Sequence, residues 1–125
     1  MIPKLTMGER LYLLRRRMKL TQEEAAYQWI GPGEWREINA MERGKKPISH
    51  DLIRTLELRW FRPEPWELLQ IWRRREGWTI REAARRMRLS HITLIARERG
   101  EWSWRETERW WNERAARLSA NRKRA

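Results

Sequence analysis

Residues 11–26 read LYLLRRRMKLTQEEAA, and residues 69–84 read LQIWRRREGWTIREAA. At an offset of 58, Leu11 meets Leu69, Arg15-Arg16-Arg17 meets Arg73-Arg74-Arg75, Thr21 meets Thr79, and Ala25-Ala26 meets Ala83-Ala84. Further on, Glu42-Arg43-Gly44 meets Glu98-Arg99-Gly100 at an offset of 56, so the first copy holds two extra residues after its alanine pair. Self-similarity at a fixed offset marks one structural unit used twice.

The unit is helical. Strand-like alternation is absent, β-branched residues are few, and Arg, Glu, Leu and Ala dominate. Thr21 with Glu24, and Thr79 with Glu82, are capping boxes: the hydroxyl accepts from an orphan amide and the glutamate reaches back to the threonine's own amide. Gly31-Pro32-Gly33 ends one helix in a turn. Gly44 and Gly100 are left-handed closures of the helices before them. The spacing predicts helices over 7–18, 22–29, 34–43 and 49–58 in the first copy, and over 66–76, 80–88 and 91–99 in the second. Arg62-Pro63-Glu64-Pro65 separates the copies. Ser103 with Glu106 opens a last helix carrying Trp104, Trp111, Ala115 and Leu118 at helical spacing. The expectation is an all-α chain of three segments: a first unit over 1–62, a second unit with the tryptophan-rich helix over 63–119, and a disordered basic tail over 120–125.

Composition sets the chemistry. The 125 residues hold 29 Lys and Arg against 17 Asp and Glu, a formal charge of +12. Residues 1–62 carry 13 basic and 8 acidic side chains, and residues 63–125 carry 16 and 9, so both units are basic. Such an excess points to an anionic partner, nucleic acid first. Arg supplies 24 of the positive charges. Arg forks onto phosphate and guanine better than Lys; a GC-rich genome explains that ratio equally well, but not the excess charge itself. With no cysteine, disulfides, Cys-based zinc sites and thiol nucleophiles are excluded. No apolar run approaches the roughly 20 residues of a membrane helix, and the N-terminus lacks a signal peptide's apolar core, so the expected location is the cytoplasm. Catalysis and metal binding have no support: His50, His91 and Asp51 form no constellation, and Asp51 complements a helix start. Gly31-Pro32-Gly33 lacks the Gly-Lys-Ser/Thr of a phosphate loop. No cofactor, enzymatic activity or small-molecule substrate is expected.

The run Leu20-Thr21-Gln22-Glu23-Glu24-Ala25-Ala26 with Glu42-Arg43-Gly44 resembles the lambda-repressor-like (Cro/CI or Xre-type) helix-turn-helix family. Trp78-Thr79-Ile80-Arg81-Glu82-Ala83-Ala84 through Glu98-Arg99-Gly100 fits the same pattern without a gap. The resemblance covers roughly residues 7–101 and implies tandem helix-turn-helix units. It implies structural ion pairs Arg15–Glu42 and Arg73–Glu98, close helix approach at Ala26 and Ala84, and a phosphate contact at Gln22, a role Ile80 cannot take in the second copy. The turn over Ile30–Gly33 is two residues longer than the family's.

Helical periodicity then sorts the rest of the first reading helix. Ile38 and Met41 face the core, which leaves Trp35, Arg36, Asn39 and Ala40 outward as base readers. Arg forks to guanine and Asn to adenine in the major groove. Arg43, Lys45 and Lys46 are assigned to the DNA backbone beside Gln22, and Arg81, Arg85 and Arg88 to the backbone from the second unit. The second helix presents His91, Ile92, Ile95 and Ala96. These meet thymine methyls or form a dimer interface. Arg97 stands where the family has an apolar residue: either its stem covers the core or the helix is rotated.

Trp72 and Trp78 replace Leu14 and Leu20 and are expected in the core. Trp104 and Trp111 belong to core or a dimer seam, and Trp110 widens that stripe towards a partner. The function this implies is sequence-directed binding of duplex DNA by a phage or mobile-element repressor. A homodimer would form through the second unit or the tryptophan helix. Two other classes stay open: an adaptor on the same scaffold, such as an antitoxin or a phage factor gripping a host protein, and a DNA-packaging factor.

Overall fold

The computed structural model describes residues 4–101, together with 105, 109, 112 and 113. The described residues form helices and turns with no strand. The chain divides into two compact units, one over Lys4–Pro63 and one from Glu64 onward. The segment from Ser103 to the C-terminus, with the expected tryptophan helix and basic tail, lies outside the described residues apart from those four positions.

The first unit holds α1 (Met7–Arg17), α2 (Gln22–Trp29), α3 (Trp35–Glu42), α4 (His50–Thr55) and a 3₁₀ turn (Leu58–Trp60). Local chemistry sets each start. The Thr21 hydroxyl accepts from the Glu24 amide and the Glu24 carboxylate accepts from the Thr21 amide, both at 3.1 Å. Thr6 and Glu9 build the same box on α1. Ser49 caps α4 through the Leu52 amide. The apolar stripes then close one core of Leu11, Ala26, Ile38, Met41, Leu52 and Leu58, with Leu14, Trp29, Ile48 and Leu56 packed around it. The close approach of α1 to the end of α3 depends on Gly8, where a Cβ would stand 2.4 Å from the Met41 carbonyl oxygen.

The second unit holds α5 (Pro65–Glu76), α6 (Ile80–Met87), α7 (His91–Ala96) and a π turn (Arg97–Glu101). Positions related by the repeat are buried alike. Leu11 and Leu69, Ala25 and Ala83, Ala26 and Ala84, and Ile38 and Leu94 are each at most 2% exposed. Trp72 is buried, while Trp78 is half-buried and meets it edge-on at 4.9 Å.

Two local expectations are corrected. The Thr79 hydroxyl accepts from the Glu82 amide at 3.2 Å, but the Glu82 carboxylate turns to Arg85 and Arg86, so only half of that capping box forms. The helix expected over 91–99 is α-helical only to Ala96 and continues as the π turn, which holds Gly100 at the positive φ expected of the closing residue. Gly100, at φ 103°, breaks its geometry, with the Trp66 ring 3.2 Å from where a Cβ would stand.

Helix α1 closes in a Schellman turn: the Lys19 amide donates to the Arg16 carbonyl at 3.0 Å and the Leu20 amide to Arg15 at 3.1 Å. Lys19 therefore adopts φ 58°. At the equivalent place after α5 stands Gly77, φ 72°, with the same two bonds. A left-handed Lys bears a Cβ clash that Gly lacks, so Lys19→Gly is expected to stabilise the first unit by about 1 kcal/mol. A urea midpoint that stays level or falls refutes this.

Candidate nucleic-acid interface

The base-reading helix expected from the sequence is α3. At about 100° per residue, Ile38, Met41 and Glu42 share the buried side. Arg36 lies about 160° from Ile38 and Ala40 about the same on the other flank, so both face away from the core. Arg36, Arg43 and Trp35 are exposed, whereas Asn39 and Ala40, expected outward, are half-buried. The Arg36 guanidinium sits 5.5 Å from the centroid of the Trp35 ring. That contact restricts a long side chain before any ligand arrives.

Behind this face lies a polar clasp. Arg15 on α1 donates from Nε to Glu42 Oε2 at 2.6 Å and from Nη2 to Oε1 at 3.1 Å, and its Nη1 donates to the Leu20 carbonyl at 2.9 Å. The Glu42 side chain is 1% exposed. The second unit repeats the arrangement atom for atom. Arg73 donates to Glu98 at 3.1 and 3.2 Å and to the Trp78 carbonyl at 3.4 Å. These four residues join α1 to the end of α3, and α5 to the π turn; their charges are consumed internally.

Three of the residues assigned to the DNA backbone have internal engagements. The Gln22 amide nitrogen donates to Glu42 Oε1 and to Asn39 Oδ1, each at 3.2 Å. Lys46 pairs with Glu37. Arg85 donates to both Glu82 oxygens, at 2.6 and 3.3 Å. The bonds from Arg85, then Arg86, hold the Glu82 carboxyl below the ordinary carboxylate range, and Glu82 raises Arg85 in return. Arg43, Lys45, Arg81 and Arg88 are exposed. The engagement of Arg85 and Arg86 was readable as three- and four-residue helical spacing from Glu82. That of Lys46 was not, since it leaves the helix to return to Glu37.

The second helix differs from its expected face. His91 and Ile92 are exposed, Ile92 at 70%. Ile95 and Ala96 are half-buried rather than outward. For Ile95 the reason is angular: Leu94 and Glu98 define the buried side of this segment, and Ile95 lies only about 100° from Leu94 whereas Ile92 lies about 160° from it. Arg97 is half-buried. A separate open groove of about 550 Å³ lies at α4 and the 3₁₀ turn, lined by His50, Ile53, Arg54, Glu57, Arg59 and the exposed Trp60.

Among the described residues, no group of three or more His, Asp or Glu stands together to hold a metal ion, and no helix is long and apolar enough to cross a membrane. No known family model matches the chain, and neither a curated protein nor a solved structure matches it.

Proposed function

We propose that this chain binds duplex DNA in a sequence-directed manner, as two tandem helix-turn-helix units of unequal role, and acts as a repressor by occupying promoter DNA. The observation that carries the reading is the face of α3. It presents an exposed Arg36 and an adjacent Asn39 amide, braced from behind by the Arg15–Glu42 clasp, on a chain of formal charge +12. A guanidinium and a carboxamide one helical turn apart are the pair of side chains that forks to purine edges in a major groove.

The second unit keeps the clasp without the readers. Positions 35, 36, 39 and 40 correspond to His91, Ile92, Ile95 and Ala96. Arg81 on α6 and Arg88, the residue that closes α6, are exposed and face phosphates in this reading, so the second unit adds grip rather than sequence. The exposed Ile92 favours a second reading, in which this unit docks on a protein or on another copy of the chain.

Single replacements Arg36→Ala and Asn39→Ala test the base readers. Each is expected to weaken binding to a selected duplex by about 1–3 kcal/mol, some 5- to 150-fold, while binding to random duplex changes little. Competition titrations with both DNAs read the ratio. Equal losses on both, or none on either, remove α3 from base reading. For the second unit, Ile92→Ser and Ile95→Ser together with a mass measurement in solution test self-association: an unchanged dimer would sink that interface.

A further inference from the structure

We infer that the buried Glu42 carboxylate fixes which end of the Asn39 amide faces the DNA, through Gln22, and that Asn39 thereby selects guanine over adenine. The inference rests on the DNA-binding reading above and names the base that this site takes.

Both oxygens of Glu42 accept from N–H groups of Arg15, Oε2 from Nε and Oε1 from Nη2, so the carboxylate faces its neighbours as an acceptor. Gln22 approaches Glu42 Oε1 at 3.2 Å. The atom of Gln22 that faces the carboxylate must be its NH2 nitrogen, because the carboxamide oxygen would meet another acceptor. That nitrogen carries two hydrogens, and its second partner is Asn39, again at 3.2 Å. The atom of Asn39 turned towards Gln22 must therefore be its oxygen. The Asn39 NH2 is left as the outward end.

An outward NH2 presents two donors. Guanine offers two acceptors, N7 and O6, on its major-groove edge, whereas adenine offers N7 beside an N6 amino donor. The forked Asn–adenine contact needs the carboxamide oxygen at N6, the end that Gln22 occupies here. Guanine is accordingly the match, and adenine sets a donor against a donor.

The internal repeat gives independent support. The second unit keeps the clasp, as Arg73 and Glu98, with the same bonding pattern. It replaces both amides: Gln22 corresponds to Ile80 and Asn39 to Ile95. The clasp thus stands without the amides, and the second unit lacks both of them. Gln22 is a positioning residue in this scheme, not a base reader.

The test is a selection of bound sites from a randomised duplex library, run in parallel on the full chain, Asn39→Ala and Gln22→Met. The Asn39 position is identified as the one whose preference Asn39→Ala erases. There the unaltered chain is expected to favour guanine over adenine by about tenfold or more. Gln22→Met keeps the side-chain length and removes the donor. It is expected to bring guanine and adenine within about threefold of each other, while preferences set by Arg36 persist. Replacing that guanine by 7-deazaguanine, which lacks the N7 acceptor, is expected to weaken binding to the unaltered chain, a readout needing no variant. A preference for adenine at that position, or an unchanged ratio in a Gln22→Met chain that still reads the Arg36 base, overturns the orientation scheme alone. Failure of the unaltered chain to enrich any sequence overturns the DNA reading itself, and the selectivity with it.

Discussion

Glu42→Ala is expected to destabilise the first unit by about 3–5 kcal/mol, the cost of stranding one partner of a buried ion pair. The Glu42 side chain is 1% exposed and accepts from Arg15 twice and from Gln22 once, so its removal leaves the 12%-exposed Arg15 side chain without its counter-charge. A unit of this size has a total stability of only about 3–9 kcal/mol at 0.05–0.15 kcal/mol per residue. The variant should therefore lose most of its unfolding transition. Glu98→Ala is expected to cost less, because that pair is longer at 3.1 Å and its carboxylate side chain is 7% exposed. The double replacement Arg15→Met with Glu42→Leu should recover much of the loss, since a buried pair exchanged for packed apolar groups is close to neutral. Urea titrations followed by helical circular dichroism measure all three. A Glu42→Ala loss of under about 1 kcal/mol, the value of an exposed pair, would show that the clasp does not brace α3.

Much of this was legible because repeats and caps are local. Thr21 and Glu24 lie three residues apart, and the hydroxyl and carboxylate need nothing else to start α2. The repeat extends further back than its obvious matches. Glu9 and Glu67, 58 apart, accept from the amides of Thr6 and Glu64 at 2.9 and 2.7 Å, a signal present in the sequence wherever a glutamate follows a helix start by three. The buried stripes follow from periodicity alone, as Leu11, Ile38 and Leu94 show.

What sequence pattern did not give are choices between competing partners. Glu82 has a threonine amide on one side and two arginines on the other, and charge-assisted bonds to Arg85 and Arg86 prevail. Gln22 stands at a helix start, where an amide suits a phosphate, yet it also lies within reach of Glu42, a partner 20 residues away. Backbone strain was equally hidden. Lys19, Glu57 and Arg88 adopt φ values of 53–58° with nothing in their side chains to announce it. At Lys19 the repeat would have given the clue, since Gly77 occupies the same place. The two-residue insertion matters here too: α6 closes through a left-handed Arg88, whereas α2 closes through Ile30 and Gly31, both donating to the Ala26 carbonyl. The longer turn gives the first unit a different entry to α3 while the clasp holds its far end.

The DNA reading carries a steep salt dependence. Of the six cationic side chains assigned to phosphates, Lys46 and Arg85 already hold carboxylates. Arg43, Lys45, Arg81 and Arg88 are exposed on the two units. With four to six of them neutralising phosphates, log K against log salt should fall with a slope of about −4 to −5, at about −0.9 per contact. Between 50 and 200 mM salt this is a loss of roughly 250- to 1000-fold in affinity. Glu82→Gln frees Arg85 and Arg86 from their carboxylate, so it should steepen the slope by about 1 for each guanidinium that then reaches a phosphate. Lys45→Ala should flatten it by about 1, with the preference among sequences unchanged, because a phosphate contact positions the protein without reading the base. Fluorescence anisotropy with a labelled duplex at four salt concentrations measures these slopes. An adaptor gripping a protein through Ile92 would release no condensed counterions. A slope for the chain's tightest partner near zero would therefore move the function from DNA to protein, and leave the exposed isoleucine, not Arg36, as the residue to replace first.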